Sequence, residues 1–281
     1  MRQVVSKTRQ SAAFDPIGQP RVPIVTFKRD YPHGYVYPAH FHDRDQVVYA
    51  SSGVLTVRTS QGIWVVPVPR AVWIPAKTPH EVRMSGHVAL RTLYLKMGIA
   101  GKLPRNCCVL NVSPFLRELI TYACEFPTLT ANVKEESHLI SLILDQMKQV
   151  RTIPLQLPHP QDSRAIHVAE TLIQNPGDER STEEICRMAG GSKRTIERIF
   201  QHETGMSLGR WRQQLRLLHA MQLLAQGEKI ANAALGAGYS RPSAFISSFK
   251  RALGTTPTQY FDSMQQSPDR MQEQRRHPIM S

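Results

Sequence analysis

The stretch from Ser181 to Phe261 limits this chain most, because it carries one pattern twice. In each half a short run with small residues (Ala189 in one, Ala233 and Ala234 in the other) leads into a glycine turn. A second run then places polar residues first and closes on an aromatic and a basic residue, Ser192 to Phe200 and Ser240 to Lys250. A helix, a glycine turn and a second amphipathic helix form the helix-turn-helix pattern, whose second helix enters the DNA major groove. One glycine after a helix is an ordinary C-cap. Two copies are more specific, and Leu208, Trp211, Leu215, Leu218, Met221 and Leu224 between them recur at helical spacing. The spacing predicts one rigid helix joining two recognition helices.

The segments AGGS, RTIERIF, ETG, GYS, SAFISSFK and GTTPTQY, in that order, closely resemble the DNA-binding domain of the AraC/XylS transcription regulators. On the first recognition helix Ile196, Ile199 and Phe200 take the core face, which leaves Lys193, Arg194, Glu197 and Arg198 outward. The resemblance puts Arg194, Glu197 and Arg198 at base-contacting positions, with Lys193 and Thr195 beside them. Arg reaches guanine edges or phosphate, and Glu accepts from a cytosine amino group. The plainer alternative is a solvated charged face. On the second recognition helix Arg241, Pro242, Ser243, Ile246 and Ser247 can face out, and Pro242 suits a first helical turn. With serines there, the expectation is phosphate contact and register, sequence being read mainly by the first unit.

At 281 residues the chain has room for two domains. A net charge of +13 suits a partner rich in phosphate. Basic residues also outnumber acidic ones in residues 1–100, so charge supports nucleic-acid binding without locating it. No run reaches the length of a membrane span and the first residues have no apolar signal core, so the expected location is cytoplasmic, away from membrane. Cys107, Cys108, Cys124 and Cys186 match no metal spacing and read as inert thiols.

From Val22 to about Leu95 the apolar period changes to two, in short β-branched runs broken by Gly and Pro, which predicts an antiparallel jelly-roll barrel. Inside it stand Gly34-x5-His40-x-His42-x3-Gln46-x6-Gly53 and Pro75-x4-His80. These resemble the two motifs of the cupin barrels, in which two His, an acid and a later His converge on a divalent metal. Alternate strand residues share a face, so His40 and His42 point the same way and a facing strand can bring His80 to them. Gln46 takes the acid position, where a neutral amide is a weaker ligand. The readings are a divalent transition metal on His40, His42, Gln46 and His80, a pocket for an organic effector, or a shaped core. No other cofactor is called for. Trp64 and Trp73 read as core, and Arg58, Arg83 and Arg91 as solvated unless they select an anionic effector.

Helical stripes follow, Phe115, Leu116, Leu119, Ile120, Ala123 and Phe126, then Leu139, Ile140, Leu142, Ile143, Leu144, Met147 and Val150. The second is wide for a helix covering one barrel, and the resemblance implies a dimer interface there; the alternative is an intramolecular helix pair that covers the barrel mouth. Three prolines in Thr152 to Ser163 mark a linker. Arg164 to Asn175 reads as a helix, and Ser181 with Glu184 as a capping box.

The expected architecture is α+β with two domains: an N-terminal cupin jelly-roll followed by helices, and a C-terminal all-α double helix-turn-helix. The expected boundaries are a flexible residues 1–20, a cupin-like effector domain at 21–100, a helical dimerisation region at 101–151, a linker at 152–163, the DNA-binding domain at 164–262 and a disordered tail at 263–281. The expected function is sequence-specific regulation of transcription under a small effector or metal ion. Partners are promoter DNA, a second copy of the chain, the effector and RNA polymerase. The rival is a metal-dependent cupin enzyme, a dioxygenase or isomerase, fused to a DNA-binding domain.

Overall fold

The computed structural model describes residues 21–101, 103–148, 152–153 and 155–265. The N-terminal part runs β1 (Ile24–Tyr31), β2 (Val36–His40), β3 (Asp45–Thr59), β4 (Gly62–Pro67), β5 (Arg70–Ile74), β6 (His80–Leu95), β7 (Cys108–Asn111), α1 (Pro114–Ala123), β8 (Thr128–Leu129), α2 (Lys134–Lys148), β9 (Thr152–Ile153) and β10 (Gln156–Pro158). The C-terminal part runs α3 (Ser163–Gln174), α4 (Thr182–Met188), α5 (Lys193–Thr204), α6 (Leu208–Ala225), α7 (Ile230–Gly236), α8 (Pro242–Leu253) and α9 (Pro257–Gln265). The expectations for residues 1–20, for Val150 and for the tail beyond residue 265 lie outside the described residues.

The ten strands of the described residues join one antiparallel sheet in the order β8-β1-β6-β3-β5-β7-β9, with β2 on β6, β4 on β3 and β10 on β4. Drawn straight, β6 would span roughly 50 Å. It is bent instead, since the ring of His42 lies 5.1 Å from that of His80 and 5.0 Å from that of Tyr94, near opposite ends of β6. The bend falls where the β3–β6 register slips, between Ala50 and Val54. Gly53 has φ +75° there, and a Cβ on it would sit 2.6 Å from the His87 carbonyl oxygen. The sheet therefore curls around a core as expected of a cupin-like domain. It differs from the expected barrel in not being closed: among the described residues no ladder joins β8 to β9. The curl needs only two long bent strands, which leaves the sheet's short outer strands unjoined.

Alternation along β3 sends its residues to two cores. Val48 and Ala50 pack inside the curl with Val57, Trp64, Val82 and Met84. Val47 and Tyr49 pack outside it with Ala71, Trp73, Leu93 and Leu95, under α1 and α2. Both tryptophans are thus core, as expected. Ser113 caps α1 by accepting from the Leu116 amide, with Pro114 in the first turn. Leu116, Leu119, Ile120 and Ala123 of α1 and Leu139, Ile140, Ile143 and Met147 of α2 face the sheet. Phe115 is 51% exposed, Tyr122 58% and Leu142 45%. The region expected to be only helical also contributes β7 and β8 to the sheet.

The expected linker is no free tether. β9 pairs with β7, and β10 with β4. Proline bars a helix here but is tolerated on an edge strand. The Trp211 indole then donates to the Pro158 carbonyl at 2.8 Å, and Glu203 accepts from the amides of Gln161 and Asp162 at 2.7 and 3.1 Å.

The helical part follows its local signals. Ser181 and Glu184 form a capping box on α4, and Ser192 and Ser207 cap α5 and α6. Gly205 and Gly254 end α5 and α8 in the left-handed region. α6 buries Leu208, Trp211, Leu215, Leu217, Leu218, Ala220 and Met221. That exceeds the predicted single stripe, because α6 packs against the helix-turn-helix units and also against the sheet. The Gln222 amide donates to the buried Thr56 hydroxyl at 2.8 Å, and Gly86 of β6 abuts the Ala225 carbonyl so closely that a Cβ would collide with it. One apolar core runs from the inner face of the sheet into the helical part.

Candidate nucleic-acid interface and effector pocket

On α5, Lys193, Arg194 and Arg198 are exposed, while Thr195 and Glu197 are half-buried. Ser192 holds the helix start by accepting from the Thr195 amide and by a 2.9 Å bond to the Thr195 hydroxyl. Arg194 and Arg198, one turn apart, make no ion pair among the described residues. Glu197 differs: its carboxylate accepts from the Leu208 amide at 2.9 Å and so ties α5 to the first turn of α6. The base-reading role expected for Glu197 therefore competes with a partner inside the protein. Its distance of 11 residues from Leu208 hides this from any local motif.

On α8, Arg241, Ser243 and Ser247 are exposed and Pro242 is half-buried in the first turn. Phe245 and Phe249 form the buried face. No side chain caps this helix. Other cations of the helical part serve the fold. Arg212 donates to the carbonyls of Arg180 and Asp178, Arg216 to those of Pro176 and Asp178, and Arg180 pairs with the buried Asp178 carboxylate. Arg180 holds the Asp178 carboxyl below the usual range. Counting basic residues thus overstates the DNA-facing charge.

Inside the curl, the spacing of β2 and β6 sets His40 directly across from His80. The ring centroids of His40, His42 and His80 lie 4.5 to 5.1 Å apart. His42 and His80 are buried and His40 half-buried. The Nδ1 of His40 lies 2.7 Å from the Pro38 carbonyl and the Nδ1 of His80 lies 2.8 Å from the Thr78 carbonyl. A carbonyl only accepts, so each Nδ1 carries the proton, and a neutral ring then keeps its lone pair on Nε2. Burial pushes the His80 pKa down to about 3, with the neighbouring His40 and His42 adding to it against the Thr78 bond. His80 is thus neutral near pH 7.

Gln46 lines the same small cavity as His40, and among the described residues its buried Oε1 has no hydrogen-bond partner. The neighbouring acid, Asp45, points elsewhere and accepts from the amides of Ala76 and Gly98 at 2.9 and 3.4 Å. Phe27, Tyr37, Val48, Val82, Leu90 and Tyr94 complete the walls of a cavity of about 20 Å3 beside His40. Sequence reasoning missed these walls, although strand parity from Gln46 to Val48 and from His80 to Val82 pointed to two of them. Arg58, Arg83 and Arg91 do not line it; Arg91 pairs with Asp30 at 3.1 Å. The cysteines are free, and burial raises all four thiols, Cys107 and Cys124 to about 12 and Cys108 to about 11, which keeps them inert. No helix among the described residues is long and apolar enough to cross a membrane.

Comparison with known proteins agrees with this geometry. Residues 22–165 match the family described as AraC-like ligand binding domain, and residues 185–263 match the helix-turn-helix domain family. The HTH-type transcriptional regulator NimR of Escherichia coli K12 is 31% identical over 223 residues, 79% of this chain and 81% of NimR. The HTH-type transcriptional activator RhaR of Mannheimia succiniciproducens is 25% identical over 85% of this chain and 91% of its own. Among solved structures, ToxT from Vibrio cholerae O395 aligns over 89% of this chain and 100% of its own, at 11% identity and a TM-score of 0.38. A ligand-binding sheet domain followed by a doubled helix-turn-helix, matched along both parts, makes this chain a member of the AraC family of DNA-binding transcriptional regulators.

Proposed function

We propose that the chain is a cytoplasmic, non-enzymatic regulator that reads promoter DNA mainly through α5, with Arg194 and Arg198 on base edges and Lys193 and Thr195 beside them. The observation that carries this reading is the exposed, unpaired Arg194–Arg198 face on a helix whose start and end are both fixed. In this reading Arg241, Pro242, Ser243 and Ser247 of α8 set the register on phosphates in the next major groove, about 34 Å along the duplex. Glu197 acts mainly by positioning α5 against α6.

The exposed Phe115, Tyr122 and Leu142 on α1 and α2 support a second copy as partner, since apolar side chains left outward on paired helices favour burial. A homodimer presents four recognition helices, and RNA polymerase is the partner through which promoter occupancy changes transcription. The pocket lined by His40 and Gln46, with His42 and His80 packed against His40, is the effector site. Its wall strand β6 reaches α6 at Gly86, only six residues beyond His80, so ligand binding and the placement of both recognition helices share one contact. The regulatory names of the relatives support a non-enzymatic role over the fused cupin enzyme.

The test is selection of binding sites from random duplex DNA with the full chain. A defined consensus whose base preferences relax at specific positions in Arg194→Ala and Arg198→Ala supports the reading. No consensus, or one that both variants retain, sinks it.

A further inference from the structure

The two helix-turn-helix units touch each other directly, and arginines of α6 build the contact. Loop 175–180 leads into α4 of the first unit, and turn 237–241 joins α7 to α8 in the second. Arg216, half-buried on α6, donates through Nε to the Pro176 carbonyl at 3.3 Å and through Nη2 to the Asp178 carbonyl at 3.1 Å. Arg212, one turn earlier, donates to the carbonyls of Asp178 and Arg180. Gly238 of the second unit lies over the face of the Arg216 guanidinium, where a Cβ would sit 2.9 to 3.0 Å from Nε, Cζ and Nη2. Gly177 completes the contact, since a Cβ on it would sit 3.0 Å from the Gly236 carbonyl oxygen.

A shared helix alone does not fix two bodies, because packing on one axis leaves a pivot about it. The second unit is the one exposed to that freedom. It follows α6 through Gly227 at φ +93°, and both α7 and α8 start without a side-chain cap. A contact away from the α6 axis removes the pivot, and Arg216 supplies one. An ionised donor on a carbonyl makes a stronger bond than a neutral one. The planar guanidinium also grips two carbonyls while offering a flat face to Gly238, which a lysine does not do.

The arrangement opposes its own charges, which a casual surface contact avoids. Burial and the neighbouring Arg216 push the Arg212 pKa down, against the Asp178 carboxylate, itself buried and paired with Arg180. We propose that Arg216, supported by Arg212, is a positioning residue for DNA binding: it sets where α8 stands relative to α5 and so lets both recognition helices engage one duplex together. With the units fixed, α8 meets its groove at a high effective concentration once α5 is bound, and a swinging unit loses that advantage. The proposal rests on the reading that α8 contacts phosphates in the groove next to the one read by α5.

The experiment uses the full chain and two duplexes that carry the selected sequence. The short one ends before the groove reached by α8, and the long one extends over it by roughly ten base pairs, one helical turn. Hydroxyl-radical protection of the wild-type complex gives the side on which to extend. Extension should raise wild-type affinity about tenfold, and in Arg216→Ala and Gly177→Ala that gain should fall to about twofold. Affinity for the short duplex should stay within about twofold of wild type, because the first unit still reads its bases. Gly177→Ala leaves the net charge unaltered, so its loss does not come from a missing cation. Arg216→Lys keeps the charge but reaches one carbonyl at a time, and should retain part of the gain.

Thermal unfolding verifies that each variant is folded, and Gly177→Ala carries the test if Arg216→Ala is not. A gain that survives in a folded variant overturns the proposal. So does an equal loss on both duplexes, which would assign these residues to the fold of the first unit alone. A wild type that gains nothing from the extension, and that binds the long duplex as well after Arg241→Ala, overturns the register role of α8 and the proposal with it. Survival of the gain strikes the positioning role only, so the two failures are told apart.

Discussion

In the first helix-turn-helix unit both helix starts are tied by side chains, Ser181 with Glu184 on α4 and Ser192 on α5, and Glu197 binds the reading helix to the first turn of α6. In the second, α7 starts at Lys229 and α8 at Arg241, and neither has a side-chain cap. The outward residues differ in parallel: Lys193, Arg194 and Arg198 against Arg241, Ser243 and Ser247. A bidentate arginine discriminates bases only if its helix is held in place, whereas a serine on a phosphate tolerates some play. In the proposed reading, rigidity and base-reading chemistry fall in the same unit.

The largest test of that asymmetry is on the reading face. Arg198→Ala and Arg194→Ala should each lose about 1–3 kcal/mol of discrimination at one or two base positions. Fluorescence anisotropy on the selected duplex and its single-base variants measures this; equal losses on all duplexes would move these residues to phosphate. Next comes Glu197. Glu197→Ala should lower stability by about 1 kcal/mol, as loss of a helix cap does, with base preference unchanged, while Glu197→Gln keeps an acceptor for Leu208 and should lose less. A new preference at a cytosine position would return Glu197 to the groove.

The caps themselves can be exchanged. Ser192→Ala should cost about 1 kcal/mol in chemical denaturation, whereas Arg241→Ser, which supplies the cap that α8 lacks, should recover a few tenths. If Arg241→Ser also lowers the salt dependence of DNA binding by about one phosphate contact, the register role of α8 is sharpened. The smallest effects belong to Ser243→Ala and Ser247→Ala, whose losses should be severalfold at most and equal across sequences. A base-specific loss at either serine would break the division of labour.

The doubled helical pattern was readable because caps, glycine turns and stripes act over a few residues, and Ser181, Ser192 and Gly205 do locally what their types dictate. The histidine set was readable only in part: register sets His40 across from His80, while His42 lies beyond the end of β2, where strand parity no longer applies. What escaped depends on contacts far apart in the chain. The prolines of residues 152–163 argued only against helix, and nothing local says that Leu157 pairs across to Ile63. The open sheet follows from which outer strands fail to meet, and the partner of Glu197 from how α6 packs. Leu217 and Ala220 are buried outside the stripe read from the sequence, because a second packed face has no signature within α6 itself.

That doubly packed helix bears on how separable the two halves are. Trp211 bonded to Pro158, Gln222 bonded to Thr56 and Ala225 pressed on Gly86 make α6 a shared wall, with one apolar core continuing on either side of it. A graft that joins this reader to a foreign sensor at residues 159–163 would strip one side of that wall. Modularity in this chain is a matter of sequence order, and the working unit for transplantation is the reader together with the two bent strands that rest on it.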